Sequence, residues 1–323
     1  WFPNLNCAAI KNVTLDDGAE VTPFEHTAKM LSLGDSITQG YDAVYSSVAF
    51  YPYFIPVLAL RVPRKNVILA VHNVSSIQGG MQPVLTSLYN NLAFSVFHHF
   101  QTFSQSQYEA ALTLAPKKDI RNIAFIPKDF GKAQIQRTDN TITFLNFGHI
   151  REYKRLDVFI QAAEKAYAMT KIPFKAIIAG GCADWSAYAA LIEHDFLFDI
   201  RLGRVQNESI PDLFEESDYF VMPYQSIAQS GALMVAVNYE KPIIASRLKA
   251  FEECISDGEN GLLVKPADVD ALAEALVYVL QNHSQIYPRW QENLRAVKYS
   301  KHSVKAITDN YCEFIDSVIT HIK

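Results

Sequence analysis

Cysteine is scarce and scattered. Cys7, Cys182, Cys254 and Cys312 stand far apart, and no two of them form a Cys-x-x-Cys pair. That spacing offers neither a thiolate metal cluster nor a disulfide framework, so a reducing compartment, the cytoplasm, is expected. Positive charge is short as well: Lys and Arg total 29 against 34 Asp and Glu, a net charge of −5. Such a balance argues against nucleic acid as a partner. The basic run Arg61–Lys65 (RVPRK) could still meet an anionic surface, which leaves peripheral contact with the cytoplasmic membrane surface open. Long apolar runs are missing too. The most apolar segment, Val48–Leu60, covers about 13 residues and is interrupted by Pro52 and Pro56, well short of a bilayer span. Finally, no Asp-x-Asp pair stands at the end of an expected strand, so no bound metal is expected.

What is present describes a folded α/β chain. Its 323 residues are 49% hydrophobic and 20% charged, enough to build two domains of ordinary size with real cores. The first four residues, Trp1-Phe2-Pro3-Asn4, read as a loop, Leu5–Leu15 as a helix, and Ala19–Phe24 as a strand after Asp16-Asp17-Gly18. A doubly wound domain normally begins with a strand, so the N-terminal sheet is expected to lack its first one. Strands then fall at Asp42–Val48, Asn66–Val71, Phe97–Ser104 and Asn122–Pro127, with helices at Gln82–Ser95 and Gln105–Leu114. His72 closes the second of these strands, at the carboxyl end where sites in α/β sheets usually lie. Lys128–Asn140 is polar, carries Gly131, and reads as an interdomain linker.

The block Leu31–Gly40 (LSLGDSITQG) resembles the nucleophile block of GDSL-type ester hydrolases, with Ser36 as the attacking serine. Such a serine needs a histidine base held by an acid. That family supplies the pair as Asp-x-x-His, and none of the nine histidines has an aspartate three residues before it. A turn between helix and strand is the simpler reading of Ser36.

After residue 140 the pattern restarts. Strands fall at Thr141–Phe147, Phe174–Ala179, Phe198–Leu202, Tyr219–Met222, Pro242–Ala245 and Leu262–Val264, spaced as βα units of a parallel sheet. Leu156, Phe159, Ile160, Ala163 and Tyr167 form a helical stripe. Ala271–Leu280 and Ser303–Ile322 read as the last helices. Within Ser217–Ser246, Gln229-Ser230-Gly231 opens a helix between two apolar strands. Free N–H groups and the positive end of the helix dipole there favour a phosphate. Two further strand ends face the same edge. One is Gly148-His149-Ile150-Arg151-Glu152-Tyr153-Lys154-Arg155, where Lys154 stands in a first turn that disfavours a cation unless an anion is held. The other is Leu202-Gly203-Arg204-Val205.

The ordered run FGHIREYKRLDVFIQAA, IIAGG, RLGRV, LFEESDYFVMPY, EKPIIAS and ECISDGENGLLVKP, from Thr141 to Leu280, resembles the nucleotide-sugar half of retaining GT-B glycosyltransferases of family 4. The first half resembles them more weakly, through YDAVYSSV, ILAVHN and FSQSQ. The resemblance implies two Rossmann-like domains facing each other across a cleft. Residues 1–130 would form the acceptor side and residues 141–302 the donor side, with a C-terminal helix at about residues 303–323 packing back onto the first domain. It implies transfer of a sugar from a nucleotide-diphosphate donor to a glycan or lipid-linked acceptor, in bacterial surface polysaccharide synthesis. No cofactor beyond the donor and no metal would be needed.

Carried over residue by residue, the resemblance makes Lys154 the diphosphate-binding lysine. His149 stands where the family usually has an arginine, with Arg151 as a substitute nearby. Gly148 belongs to the same loop. Ser230 and Gly231 would present amides to the diphosphate, Gln229 would reach the sugar, Arg204 and Val205 would flank the base, and His72 would reach the donor sugar. Glu253 matches a frequent family glutamate. One departure stands out: the positions of the family's paired glutamates hold Ile227 and Val235. A non-catalytic nucleotide-sugar binder of the same fold is therefore the main rival, and a hydrolase using Ser36 the lesser one.

Overall fold

The computed structural model describes residues 42–47, 54–74, 83–300 and 302–320. The expected helix at Leu5–Leu15, the strand at Ala19–Phe24, the absent first strand and the Ser36 block lie outside the described residues. The described residues divide into two compact units: those up to 124 with those from 305 onward form the first, and residues 125–304 the second.

In the first unit, β1 (Val44–Ser46), β2 (Val67–Ala70), β3 (His99–Thr102) and β4 (Asp119–Asn122) form a parallel sheet in that order. Helices α1 (Phe54–Arg61), α2 (Pro83–Val96) and α3 (Gln105–Leu114) alternate with the strands. Val67, Leu69, Phe100 and Ile120 point from the sheet into one apolar cluster with Ile55, Leu58, Tyr89 and Phe94. Gln101, one residue from Phe100, points the other way and donates to the hydroxyl of Tyr311 on the C-terminal helix Val304–Thr320 at 2.6 Å. Elements of this unit thus lie on both faces of the sheet, and of its strands Val67–Ala70 is apolar and buried throughout.

The last strand lies earlier than the expected Asn122–Pro127. Asp119–Asn122 pairs with His99–Thr102, and the Ile123 N–H closes the ladder on Thr102 O at 3.0 Å. The apolar run beyond it then leaves the sheet, and Phe125 packs into the core of the second unit. Lys128–Asn140, which reads as a linker, is irregular but fastened to the second unit. Its Gln134 N–H donates to Asp212 at 2.6 Å and Arg137 pairs with Asp218 at 2.7 Å.

The second unit holds β5 (Thr143–Phe147), β6 (Lys175–Gly180), β7 (Phe198–Leu202), β8 (Tyr219–Met222), β9 (Ile243–Ser246) and β10 (Gly261–Val264), all parallel. Between them lie α4 (Leu156–Thr170), α5 (Ser186–Ala189), α6 (Ile210–Glu215), α7 (Gly231–Asn238) and α8 (Lys249–Glu252), followed by α9 (Val269–Tyr299). Alternate residues enter different cores. Phe144, Ile178, Tyr219 and Ile244 pack beneath α4 and α9, whereas Leu145, Ile177, Phe220 and Ile243 pack beneath α6 and α7. This is a three-layer α/β sandwich. The helix α9 runs far past the expected Leu280. The polar stretch Gln281–Ser284 and Pro288 suggest an end, but Ile286, Trp290 and Leu294 are buried and carry the apolar stripe on. The Trp290 indole also donates to Gly258 O at 3.0 Å. Packing here outweighs the hydrogen bond lost at the proline.

Candidate functional site

The strand order of the second unit is β10-β9-β8-β5-β6-β7. The chain winds outward from β5 through β6 and β7, then returns to the other side of β5 to lay down β8. The loops after β5 and β8 therefore part in opposite directions at the carboxyl edge, and such a switch point is where open α/β sheets bind ligands. The Gly148–Arg155 loop follows β5 and the Pro223–Ser230 loop follows β8. The two are tied together: the Gln225 N–H donates to Tyr153 O at 2.8 Å, and the rings of Tyr153 and Tyr224 meet edge to face at 5.9 Å.

Backbone geometry shapes the β5 loop. Gly148 has φ 110°, and a Cβ there would come within 3.1 Å of Lys154 Nζ. Gly180, at the end of β6, leaves no room at all: a Cβ would sit 2.1 Å from Gly148 O. The Gly148 N–H donates to Ala179 O and the Ile150 N–H to Gly181 O, at 2.9 and 2.8 Å. The loop thus turns over bare backbone and folds Lys154 back toward its own start, in a single turn of 3-10 helix, Glu152–Lys154. His149 lies over Gly181, where a Cβ would be 3.1 Å from Nδ1.

The electrostatics of this loop are one-sided. The Lys154 ammonium is half-buried, lies 5.5 Å from the centroid of the Tyr224 ring, and has no carboxylate partner among the described residues. Desolvation, followed by the charge of Arg151, lowers its pKa to about 8. Desolvation and the charges of Arg151 and Lys154 also hold the His149 imidazole below its ordinary value. Arg151 thus disfavours the charge of both Lys154 and His149, an arrangement that an anion would relieve. Arg155 does not join them, because its guanidinium pairs with Asp157 at 2.8 Å.

The β8 loop ends at α7. Ser230 is its N-cap and accepts the Leu233 N–H at 3.2 Å, which leaves the amides of Gly231 and Ala232 without intrahelical acceptors. Gln229 stands just before the cap. Gly203, Arg204 and Val205 follow β7; Arg204 is exposed, while Val205 packs on the cluster beneath α6 and α7. Glu253 follows α8, half-buried. Val235 is 3% exposed within α7, and Ile227 packs against the same apolar cluster.

His72 belongs to the first unit. Its Nε2 lies 3.3 Å from Ser47 O and its ring stacks on Phe103 at 4.7 Å between centroids. Burial lowers its pKa, so the imidazole is neutral at pH 7. Ala70, Val71, His72, Asn73, Thr86, Tyr89 and Asn90 line a small pocket at this strand end.

Residue-type reasoning reached the basic loop and the helix start but not Tyr224 or Gly180. Tyr224 ends the run LFEESDYFVMPY but takes no role from it, because its contact with Lys154 arises only where β5 and β8 are neighbours. Gly180 stands in the Gly-Gly pair of IIAGG, a usable sign of close backbone approach. Among the described residues, Glu164, Glu193 and His194 could jointly hold a metal ion. They precede β7, at the opposite edge of the sheet. Glu164 there already accepts two backbone N–H groups, at 2.7 and 2.9 Å, and meets His194 Nδ1 at 2.6 Å. That arrangement fastens a loop.

The family match falls on the same half of the chain. Residues 141–282 match the model of the family described as Glycosyl transferases group 1. Over 99 residues the chain is 35% identical to phosphatidyl-myo-inositol mannosyltransferase of Mycobacterium leprae (strain TN), covering 30% of this chain and 25% of that protein. The crystal structure of TarM from S. aureus superposes with a TM-score of 0.72 at 16% identity, covering 90% of this chain and 58% of that one. Anabaena Alr3699/HepE, solved in complex with UDP, superposes with a TM-score of 0.70 at 16% identity, covering 90% and 82%. The fold is that of GT-B glycosyltransferase structures, with two parallel-sheet Rossmann-like domains. The chain spans about a quarter of the curated mannosyltransferase it matches and somewhat over half of TarM.

Proposed function

We propose that this protein is a retaining glycosyltransferase of family 4. It would move a sugar from a nucleoside diphosphate donor to a glycan or lipid-linked acceptor, in the synthesis of a bacterial surface polysaccharide. The observation that carries the reading is Lys154: a half-buried ammonium without a carboxylate partner among the described residues, set at the topological switch point of the second sheet. Such a charge is costly unless an anion completes it. In this reading the donor diphosphate lies against the amides of Gly231 and Ala232, with Lys154, Arg151 and His149 around it. Arg204 and Val205 flank the base, and Gln229 and Glu253 serve the sugar. Negative charge builds on the departing diphosphate as the glycosidic bond breaks, and fixed cations and amides stabilise it without reorganising. No metal takes part, and a chelator leaves both binding and turnover intact.

The test is release of free nucleotide when uridine and guanosine diphosphate sugars are incubated with the protein and candidate acceptors. Release by the native chain and its loss in Lys154→Ala would support the reading. Release that is unchanged in Lys154→Ala, or that requires a divalent ion, would refute it. A second reading, a binder without turnover, is favoured by the apolar Ile227 and Val235, which give the donor no carboxylate at those positions. It predicts nucleotide-sugar binding with no release under any acceptor.

A further inference from the structure

The central strands of the second unit part before they end. The pairing of β5 with β6 runs on to Phe147, and that of β8 with β9 runs on to Met222. Between β5 and β8 it covers two steps only, Phe144 with Tyr219 and Leu145 with Phe220. The next residue of β5 is Asn146, buried between Leu145 and Phe147 at 5% exposure. Asparagine is a poor strand former, and burying its amide is costly unless the amide is hydrogen-bonded. Here Nδ2 donates to Val221 O at 2.9 Å, one residue past the last pairing on β8. A second bridge closes the gap further out, where the Gln225 N–H donates to Tyr153 O. Between the two bridges lie Gly148 on one strand end and Tyr224 on the other, both neighbours of the Lys154 ammonium.

We propose that Asn146 is a positioning residue of the anion site. Backbone pairing sets neighbouring strands about 4.8 Å apart, and a side-chain amide placed between them holds them wider. The Asn146 amide thereby keeps the Gly148–Arg155 loop off the Pro223–Ser230 loop. Lys154 on one loop and the amides of Gly231 and Ala232 beyond the other then meet a single ligand, which Asn146 itself does not touch. A branched apolar residue at position 146 would suit both the strand and the core better. The amide is of use only where the strands must stand apart. That the ligand is a nucleoside diphosphate rests on the proposed reading; the spacing of the loops does not.

The full native chain is compared with Asn146→Leu, which keeps the volume and removes the donor, and with Asn146→Ala, which removes both. Uridine diphosphate and guanosine diphosphate are the probes. Both variants should bind the preferred probe about tenfold more weakly than native protein, at temperatures where all are folded. In a Lys154→Ala background the same substitutions should cost no more than about twofold, because the group they misplace is gone. A second readout needs no ligand. Acylation of Lys154, followed by mass spectrometry against pH, should have its midpoint at about 8 in the native chain. Asn146→Leu should move that midpoint as the ammonium changes its surroundings, which loss of packing in the core alone would not do. Native affinity and a native midpoint in folded Asn146→Leu or Asn146→Ala overturn the proposal and leave the donor site standing. Fully additive losses in the Lys154→Ala background overturn it as well and make Asn146 a packing residue. If neither diphosphate binds the native chain, the donor reading falls, and the Lys154 midpoint alone decides the role of Asn146.

Discussion

The ammonium of Lys154 and the aromatic face of Tyr224 lie 5.5 Å apart, joining two loops that leave adjacent strands in opposite directions. A cation over an aromatic ring is held by the ring quadrupole and keeps its hydrogens free for a further acceptor. It is a stored donor, not a completed contact.

The pH dependence of donor binding follows. Lys154 has a pKa of about 8, so it is charged below pH 8 and loses its proton above it. A bound diphosphate favours the charged form and raises that pKa. Affinity should therefore be flat below pH 8 from this group and fall as pH rises above it, with proton uptake on binding. Calorimetry at pH 8.5 in two buffers of different ionisation enthalpy measures that uptake, and Lys154→Arg should abolish it. Stability has the opposite sense. The lowered folded-state pKa means that the charge opposes folding below about pH 8, and the penalty is relieved as pH rises toward 10.5. Lys154→Met should hence raise Tm at pH 7 while weakening the nucleotide by about 10- to 150-fold. A lowered Tm, or equal proton uptake in Lys154→Arg, would show that Lys154 is not the titrating cation.

Tyr224 is expected to act through Lys154. It is 1% exposed and meets Tyr153 and Phe251 edge to face at 5.9 and 5.6 Å. Tyr224→Phe keeps the ring and should leave donor affinity within about twofold, while Tyr224→Leu should lower it by about three- to thirtyfold. Tyr224→Leu should also move the pH at which affinity begins to fall, a change that simple loss of packing would not cause. Unaltered pH profiles in both variants would reduce Tyr224 to a core residue.

The second unit was largely legible because its strands are covered on both faces and so read as continuous apolar runs. Tyr219–Met222 is such a run and stands as the pattern has it, as does the edge strand Phe198–Leu202, whose Asp199 and Arg201 alternate with apolar residues. Where local pattern and packing disagree, the sequence misleads. Ile123–Ile126 looks like a strand yet leaves its sheet, and Pro288 looks like a break yet lies inside α9. The candidate site was legible in its charges and its helix start, since those are properties of short segments. Tyr224 and Gly180 were not, because what they do depends on which strands become neighbours.

Gly180 and Gly148 give a stability test of the loop. A Cβ on residue 180 would meet Gly148 O at 2.1 Å, a backbone atom that cannot step aside. Gly180→Ala should cost about 1–3 kcal/mol, and each kcal/mol lowers Tm by about 2–4 °C. Gly148→Ala must hold φ 110° with a side chain and press on Lys154 Nζ, at about 1–2 kcal/mol. Both variants should bind nucleotide more weakly than native protein at temperatures where both are fully folded. Native affinity in folded Gly148→Ala would mean that Lys154 is not placed by this turn.

His72 should separate turnover from binding. Its imidazole is neutral at pH 7 because burial lowers its pKa, and it stands at the carboxyl end of β2, in the unit that does not carry Lys154. In the proposed reading a neutral ring at this strand end would exchange one hydrogen bond with a sugar hydroxyl and add little to holding a diphosphate. His72→Ala is therefore expected to lower kcat by about 10- to 100-fold while the donor Kd shifts less than about threefold. Through this group, turnover should hold steady down to pH 6.5 and decline only below it, as the ring takes up a proton. Matching losses in kcat and Kd, or a fall in Tm with no change in either, would place His72 among the packing residues around Phe103.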